Sequence, residues 1–239
     1  MDIGKAFTFV FDDDRWVTKL LIAAAIALVG LALFWLVIPA ILAFALLGGY
    51  GLEITRRVIK GSSPVLPEWE DWGALLIDGF KVWVIGIVYA LPLIILSFCL
   101  SPVIAVLGDS SEGLAGLLGS GLSCLSFLWS IVVGLFTPAA LAFFIVEDDL
   151  GAAFRFGDIF NFVRDNFSTY LIALVIYWVA SIIGGLGFLV CGVGAIFTIP
   201  YATFLTSHVY GQAYLEAKGA APQPVVEVEE EAEAEEEVD

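Results

Sequence analysis

LLIAAAIALVGLALFWLVIPAILAFALLGGYG, residues 20–51, carries no charged side chain. Wound as one helix at about 1.5 Å per residue it would be about 48 Å long, against a bilayer hydrocarbon core of about 30 Å. A single straight span is too long, whereas two spans of about sixteen to twenty residues fit. The turn is expected near Phe34-Trp35, with Trp35 at the outer interface. Pro39 then falls in the first turns of the second helix, where its missing N–H does least harm. The same reasoning divides residues 170–214, with the turn at Gly184, Gly185 and Gly187 and Pro200 inside the second helix of that pair. A middle pair is expected from Lys81 to about Leu100 and from about Leu122 to Val146. A longer outer segment holding Asp109, Ser110, Ser111 and Glu112 joins them.

Composition supports the membrane reading. Hydrophobic residues make up 60% of the chain and mean hydropathy is +0.97, well above a soluble domain. The net charge of −16 misleads, because nine acids crowd the last thirteen residues. With six spans, all ten Lys and Arg fall on one side: Lys5, Arg15, Lys19, Arg56, Arg57, Lys60, Lys81, Arg155, Arg164 and Lys218. The positive-inside rule then places both termini in the cytoplasm. The absence of a basic cluster argues against nucleic-acid binding. Four Asp among the first fifteen residues, and the long apolar run behind them, are unlike a cleaved signal.

The chain repeats itself. Asp, a large apolar residue and Gly recur at 2–4, 71–73 and 149–151, and DIGKAFTF (2–9) resembles DLGAAFRF (149–156). PAILAF (39–44) matches PAALAF (138–143) at five of six positions, and PYATF (200–204) keeps the Pro and Phe. Such repetition predicts one structural unit used three times, over about 1–60, 69–148 and 149–218 of a single membrane domain at 1–218. Each unit is expected to open with an amphipathic helix lying in the cytoplasmic interface, its Asp capping the first turn. The apolar faces are Ile3, Ala6, Phe7 and Val10; Trp69, Trp72, Leu76, Phe80 and Trp83; and Leu150, Ala153, Phe154, Phe160, Val163 and Phe167. Phe7, Trp16, Trp69, Trp72, Trp83 and Phe154 are the expected interfacial anchors. Residues 219–239, Gly- and Pro-bearing and then acidic, are expected to form a disordered tail. The architecture is thus all-α and polytopic, with six transmembrane helices as three hairpins, each preceded by an interfacial helix.

Little in the chain suggests chemistry. No GxGxxG, P-loop, HExxH or GxSxG motif occurs, and no Asp, Glu, Lys or Arg lies mid-span, where ion-coupled transporters and pumps place ionisable groups. Cys99, Cys124 and Cys191 sit in apolar sequence and are expected as buried free thiols, with a Cys99–Cys124 pair left open. His208, the only histidine, is expected to be packed, with a pigment or haem ligand as the sharper alternative. Glu53 is expected to pair with Arg56 and Arg57. Gly116, Ser120, Ser123, Ser130 and Gly134 recur at helical spacing and predict a helix-packing seam.

The stretches MDIGKAFTFVFDDDRWVTKLLI (1–22), RRVIKGSSPVLPEWEDWGALLIDGFK (56–81), GAAFRFGDIF (151–160) and HVYGQAY (208–214) resemble the prokaryotic membrane proteins of domain-of-unknown-function family 4013. The resemblance covers roughly residues 1–217. It implies this architecture and a prokaryotic cell (inner) membrane, and supplies no functional residues. The expected function is that of a non-catalytic structural protein without cofactor, a scaffold or accessory subunit of a membrane assembly. Its partners would be membrane lipids and other proteins or further copies of itself, with no nucleic acid. The alternative is a channel or transporter for a small neutral or lipid-like solute moving between the hairpins.

Overall fold

The computed structural model describes residues 1–189 and 192–219. Cys191 and the acidic stretch 220–239, expected as a disordered tail, lie outside the described residues. Among those described there are eight α-helices and no strand: α1 (Ile3–Thr8), α2 (Trp16–Ala32), α3 (Val37–Lys60), α4 (Trp72–Ser110), α5 (Glu112–Glu147), α6 (Phe156–Asp165), α7 (Phe167–Leu186) and α8 (Ala195–Ala217). Short 3₁₀ turns cover Phe9–Asp12, Leu150–Phe154 and Gly187–Leu189. Four helices are long and apolar enough to cross a membrane, namely α3, α4, α5 and α7. The count is five if the bent pair Ile3–Asp12 and Trp16–Ala32 forms one span.

The three repeated aspartates cap alike. Asp2 Oδ1 accepts from the Lys5 N–H at 2.8 Å, Asp71 Oδ1 from the Ala74 N–H at 3.0 Å, and Asp149 Oδ1 from the Gly151 N–H at 3.1 Å. A carboxylate there satisfies an otherwise orphaned N–H and suits the positive end of a helix. The glycine two residues on lies against the same carboxylate each time: a Cβ would sit 3.5 Å from it at Gly4, 3.6 Å at Gly73 and 3.0 Å at Gly151. This is the physical content of the Asp-x-Gly signature.

Beyond the caps the copies diverge. Ile3–Asp12 is bent by 96° from Trp16–Ala32. The break is made by Asp13, whose Oδ1 accepts from the Arg15 N–H at 2.8 Å. The third copy breaks at Asn166, whose Nδ2 donates to the Phe162 carbonyl at 2.9 Å. In the second copy no such residue interrupts the chain, and α4 runs unbroken from Trp72 to Ser110, through Pro92 and Pro102. The separate interfacial helix expected over 69–83 is therefore corrected: its helical part is the first three turns of α4. The outer segment expected between Leu100 and Leu122 is corrected too, since both helices continue to within a residue of each other at Ser111. Pro138, the counterpart of Pro39 in the PAILAF/PAALAF match, lies deep inside α5.

Packing takes a cyclic order. α2 lies on α3 and α8; α4 lies on α5 and α3; α7 lies on α8 and α5; and α3, α5 and α8 meet one another inside this ring. α1 rests on α8, while the Leu150–Phe154 turn and α6 rest on α5. Phe7 is half-buried against the core and its carbonyl accepts from the Tyr201 hydroxyl at 2.9 Å. Burying a large apolar side chain contributes about 1.5–3 kcal/mol. Phe7→Asp is expected to lower the melting temperature clearly in detergent, while Thr8→Asp, at an exposed position, should stay within about 0.5 kcal/mol of wild type. Equal melting of the two variants would remove any packing role for this helix.

Candidate functional site

One concave feature is an open-sided chamber of about 530 Å³ among the helices of the ring. Gly48, Gly51, Leu52 and Thr55 of α3, Val82 of α4, and Thr137 and Leu141 of α5 form part of its wall. α7 adds Tyr177, Ser181, Gly184 and Gly185, with Phe188 just beyond its end; α8 adds Ile199, Ala202, Thr203, Thr206, Ser207 and Tyr210. No Asp, Glu, Lys, Arg or His is among these residues. Ser181, Gly185 and Phe188 are exposed and mark the mouth, beside the C-terminal end of α7. At the far end α3 and α8 close tightly. Thr55 Oγ1 donates in a bifurcated bond to the Ser207 carbonyl (2.9 Å) and the Gly51 carbonyl (3.1 Å). A Cβ on Gly51 would lie 2.6 Å from Ser207 Oγ.

The volume falls in the range of small-molecule sites, about 300–1,000 Å³. Four of its eight hydroxyls donate to helix carbonyls: Thr55 as above, Thr203 to Ile199 at 3.0 Å, Ser181 to Tyr177 at 2.8 Å and Thr137 to Val133 at 2.7 Å, while those of Tyr177, Thr206, Ser207 and Tyr210 are uncommitted. Such a wall solvates an uncharged molecule and gives an ion nothing to pair with. Sequence reasoning missed this site. A signal was present in Thr203, Thr206, Ser207 and Tyr210, which share adjoining faces of one apolar helix.

The residues singled out from sequence are scattered. Gly116, Ser120, Ser123 and Ser130 face outward, and only Gly134 is buried, its missing Cβ leaving room for Leu174 Cδ1. Within this chain, then, the expected seam packs α5 on α7 at Gly134 alone. Ser123 and Ser130 donate to carbonyls of their own helix. Cys99 and Cys124 are free and exposed, correcting the expectation of buried thiols; the halves of α4 and α5 that carry them are largely exposed. His208 is 4% exposed, its ring stacked on Phe9 with centroids 4.2 Å apart and its Nδ1 without a hydrogen-bond partner. No group of three or more His, Cys, Asp or Glu among the described residues is placed to hold a metal.

The aromatic anchors divide. Trp69, expected at the interface, is instead buried: it stacks on Tyr50 at 4.1 Å and its Nε1 donates to the Lys19 carbonyl at 3.2 Å. Trp72 is exposed and closes an apolar groove of about 410 Å³ between α2 and α3. Trp16, Trp83 and Phe154 are half-buried, Trp16 edge-on to Phe11.

Beside that groove lies a polar clamp. Lys19 is 2% exposed, and its Nζ reaches Asp13 Oδ2 at 2.6 Å, Glu68 Oε1 at 2.7 Å and the Leu66 carbonyl at 2.9 Å. The Tyr50 hydroxyl donates to the Pro67 carbonyl at 2.8 Å and Arg57 to the Pro64 carbonyl at 3.0 Å. These side chains satisfy the carbonyls of the 61–71 loop, which could not otherwise enter the protein. Next to it, Glu53 binds both Arg56 and Arg57 as expected, and Arg56 also reaches Asp78 at 2.8 Å.

A family model described as a protein of unknown function, DUF4013, matches residues 32–197. No curated protein and no solved structure matches the chain.

Proposed function

The chain belongs to the DUF4013 family of proteins of unknown function, and we propose that it is a non-catalytic, six-span membrane protein whose central chamber holds a small neutral or lipid-like solute. The chamber carries this reading: about 530 Å³ of largely apolar space, edged with hydroxyls and free of charge, reached by all three inner helices. α2, with 17 residues, and α8, with 23, come to about 26 and 35 Å, near the thickness of a hydrocarbon core. Together with α3, α4, α5 and α7 they make six. The cyclic packing supports three equivalent units, each with an outer helix lying on its own inner helix and on the inner helix of the unit before. The one-sided Lys and Arg support cytoplasmic termini.

Gly185 offers the test. A Cβ there meets nothing within 4 Å, and the residue stands in the mouth, so Gly185→Phe fills the entrance at little cost to packing. Small neutral lipids extracted from purified protein should be enriched with wild type and lost with Gly185→Phe at unchanged melting temperature. An identical lipid profile for the two proteins would remove the chamber from the account.

A second reading, the scaffold or accessory subunit, has its own support. α4 and α5 measure about 58 and 54 Å and carry Gly116, Ser120 and Ser123 on an outward face of their hairpin. Small residues of this kind let a neighbouring helix approach closely. Flux of a neutral solute into liposomes holding only this protein separates the readings: it requires the chamber and no partner.

A further inference from the structure

We infer that the far half of the α4–α5 hairpin, residues 92–128, lies obliquely within the leaflet away from the chain's Lys and Arg, with lipid acyl chains as its partner. The inference rests on α4 and α5 crossing the membrane and not on the chamber. Residues 113–146 of α5 carry no charged side chain and measure about 51 Å, against a hydrocarbon core of about 30 Å. Even at a tilt of about 40°, the upper end of the usual range, they would overrun it. Upright, the helix would hold Leu117 about 45 Å from Glu147, well out in water.

The surface of this half fits neither water nor a single protein neighbour. None of the described side chains of 92–128 is buried; Phe98 is 81% exposed and Leu117 73%. Ile94, Ile95 and Leu96 are exposed in succession at steps of about 100°, so the apolar surface runs round α4 without forming one seam. Leu125, Phe127 and Leu128 do the same on α5. A helix in water keeps a polar face and a protein neighbour covers one stripe, whereas acyl chains cover all the circumference left open. The polar groups agree. Ser101 donates to the Ser97 carbonyl, Ser123 to Gly119 and Ser126 to Leu122, each within its own helix, as surrounding lipid requires. The charges of this half, Asp109 and Glu112, flank its turn, where an oblique hairpin reaches the headgroups. Pro92 and Pro102 let α4 lean, since each deprives the carbonyl four residues back, on Val88 and Phe98, of its helical donor.

Spin labels test this in the full chain, reconstituted in vesicles of phosphatidylethanolamine and phosphatidylglycerol. With Cys99, Cys124 and Cys191 replaced by serine, a nitroxide is attached at Val103→Cys, Leu117→Cys, Ile87→Cys or Asp14→Cys. Its collisions with molecular oxygen, which dissolves in hydrocarbon, are compared with those of a polar nickel chelate, which does not. The oxygen-to-nickel ratio at 103 and 117 should exceed that at 14 about tenfold or more. A ratio there equal to that at 14 would put the hairpin in water and overturn the inference. Poor access for both oxygen and nickel would mean a covering of protein, a second copy or another chain, and would overturn it in favour of the scaffold reading. Ile87, 53% exposed and nearer the Lys81 end of α4, should show the hydrocarbon ratio whichever way the far half lies. A water-like ratio at 87 would remove the span itself, and the inference with it.

Discussion

A methyl group placed on Gly49 or on Gly79 is expected to prevent the bundle from folding. The two glycines face each other where α3 crosses α4. A Cβ on Gly49 would lie 1.8 Å from the Leu75 carbonyl oxygen, and one on Gly79 would lie 1.8 Å from that of Ala45. Overpacking a core usually costs about 1–3 kcal/mol because side chains can turn aside. Here the obstacle is backbone, so the helices must separate along their length. Gly49→Ala and Gly79→Ala should each abolish monodisperse protein in detergent, or lower its melting temperature by more than any surface variant. Their effects should not add, since either one alone opens the same crossing. Gly86→Ala, further along α4 with nothing within 4 Å of its Cβ, should be neutral or stabilising by up to about 1 kcal/mol through helix propensity. Wild-type melting of Gly49→Ala would mean the helices do not cross this closely.

The second large effect belongs to Lys19. Lys19→Met keeps the length of the apolar stem and removes the ammonium, leaving Asp13, itself 8% exposed, without its partner and Glu68 with only Arg15. Breaking a buried ion pair from one side typically costs about 3–5 kcal/mol. The 61–71 loop also loses the donor on the Leu66 carbonyl. Proteolytic cutting in that loop should therefore accelerate before the bundle melts. Arg15→Ala, on a side chain 67% exposed, removes a contact to the same Glu68 and should cost about 1 kcal/mol or less. If the two variants behave alike, the clamp contributes no more than a surface pair.

Much of the helical frame was legible in the sequence because its signals are local. Length against membrane thickness put a turn at Phe34-Trp35, and the chain leaves α2 at Ala32 and enters α3 at Val37, with Trp35 92% exposed. The Asp-x-Gly signature found three caps. Hydropathy could not reveal where helices continue: 81–83 lacks the turn chemistry of Asp13 or Asn166, and only that absence told α4 to run on. The site was harder to read because it depends on which faces meet. Among 24 glycines, spacing favoured the stripe on α5, while the close crossing uses Gly49 and Gly79 and the chamber uses hydroxyls from four helices. Lys19 looked like one more positive charge at a membrane edge; its burial is created by Leu66 and Glu68, distant in the chain.

Six spans in three units is the claim on which the chamber depends, and sided labelling of single cysteines tests it most directly. In a chain with Cys99, Cys124 and Cys191 replaced by serine, one cysteine is introduced at Asp14, Trp35, Gly61, Asp148, Val193 or Lys218, and sealed vesicles are treated with a membrane-impermeant maleimide. Positions 14, 61, 148 and 218 should label from one face, and 35 and 193 only from the other. Labelling of 35 from the same face as 14, or of 193 from the same face as 218, would mean that α2 or α8 does not cross. The structure would then hold four or five spans, and the three-unit account would be contradicted.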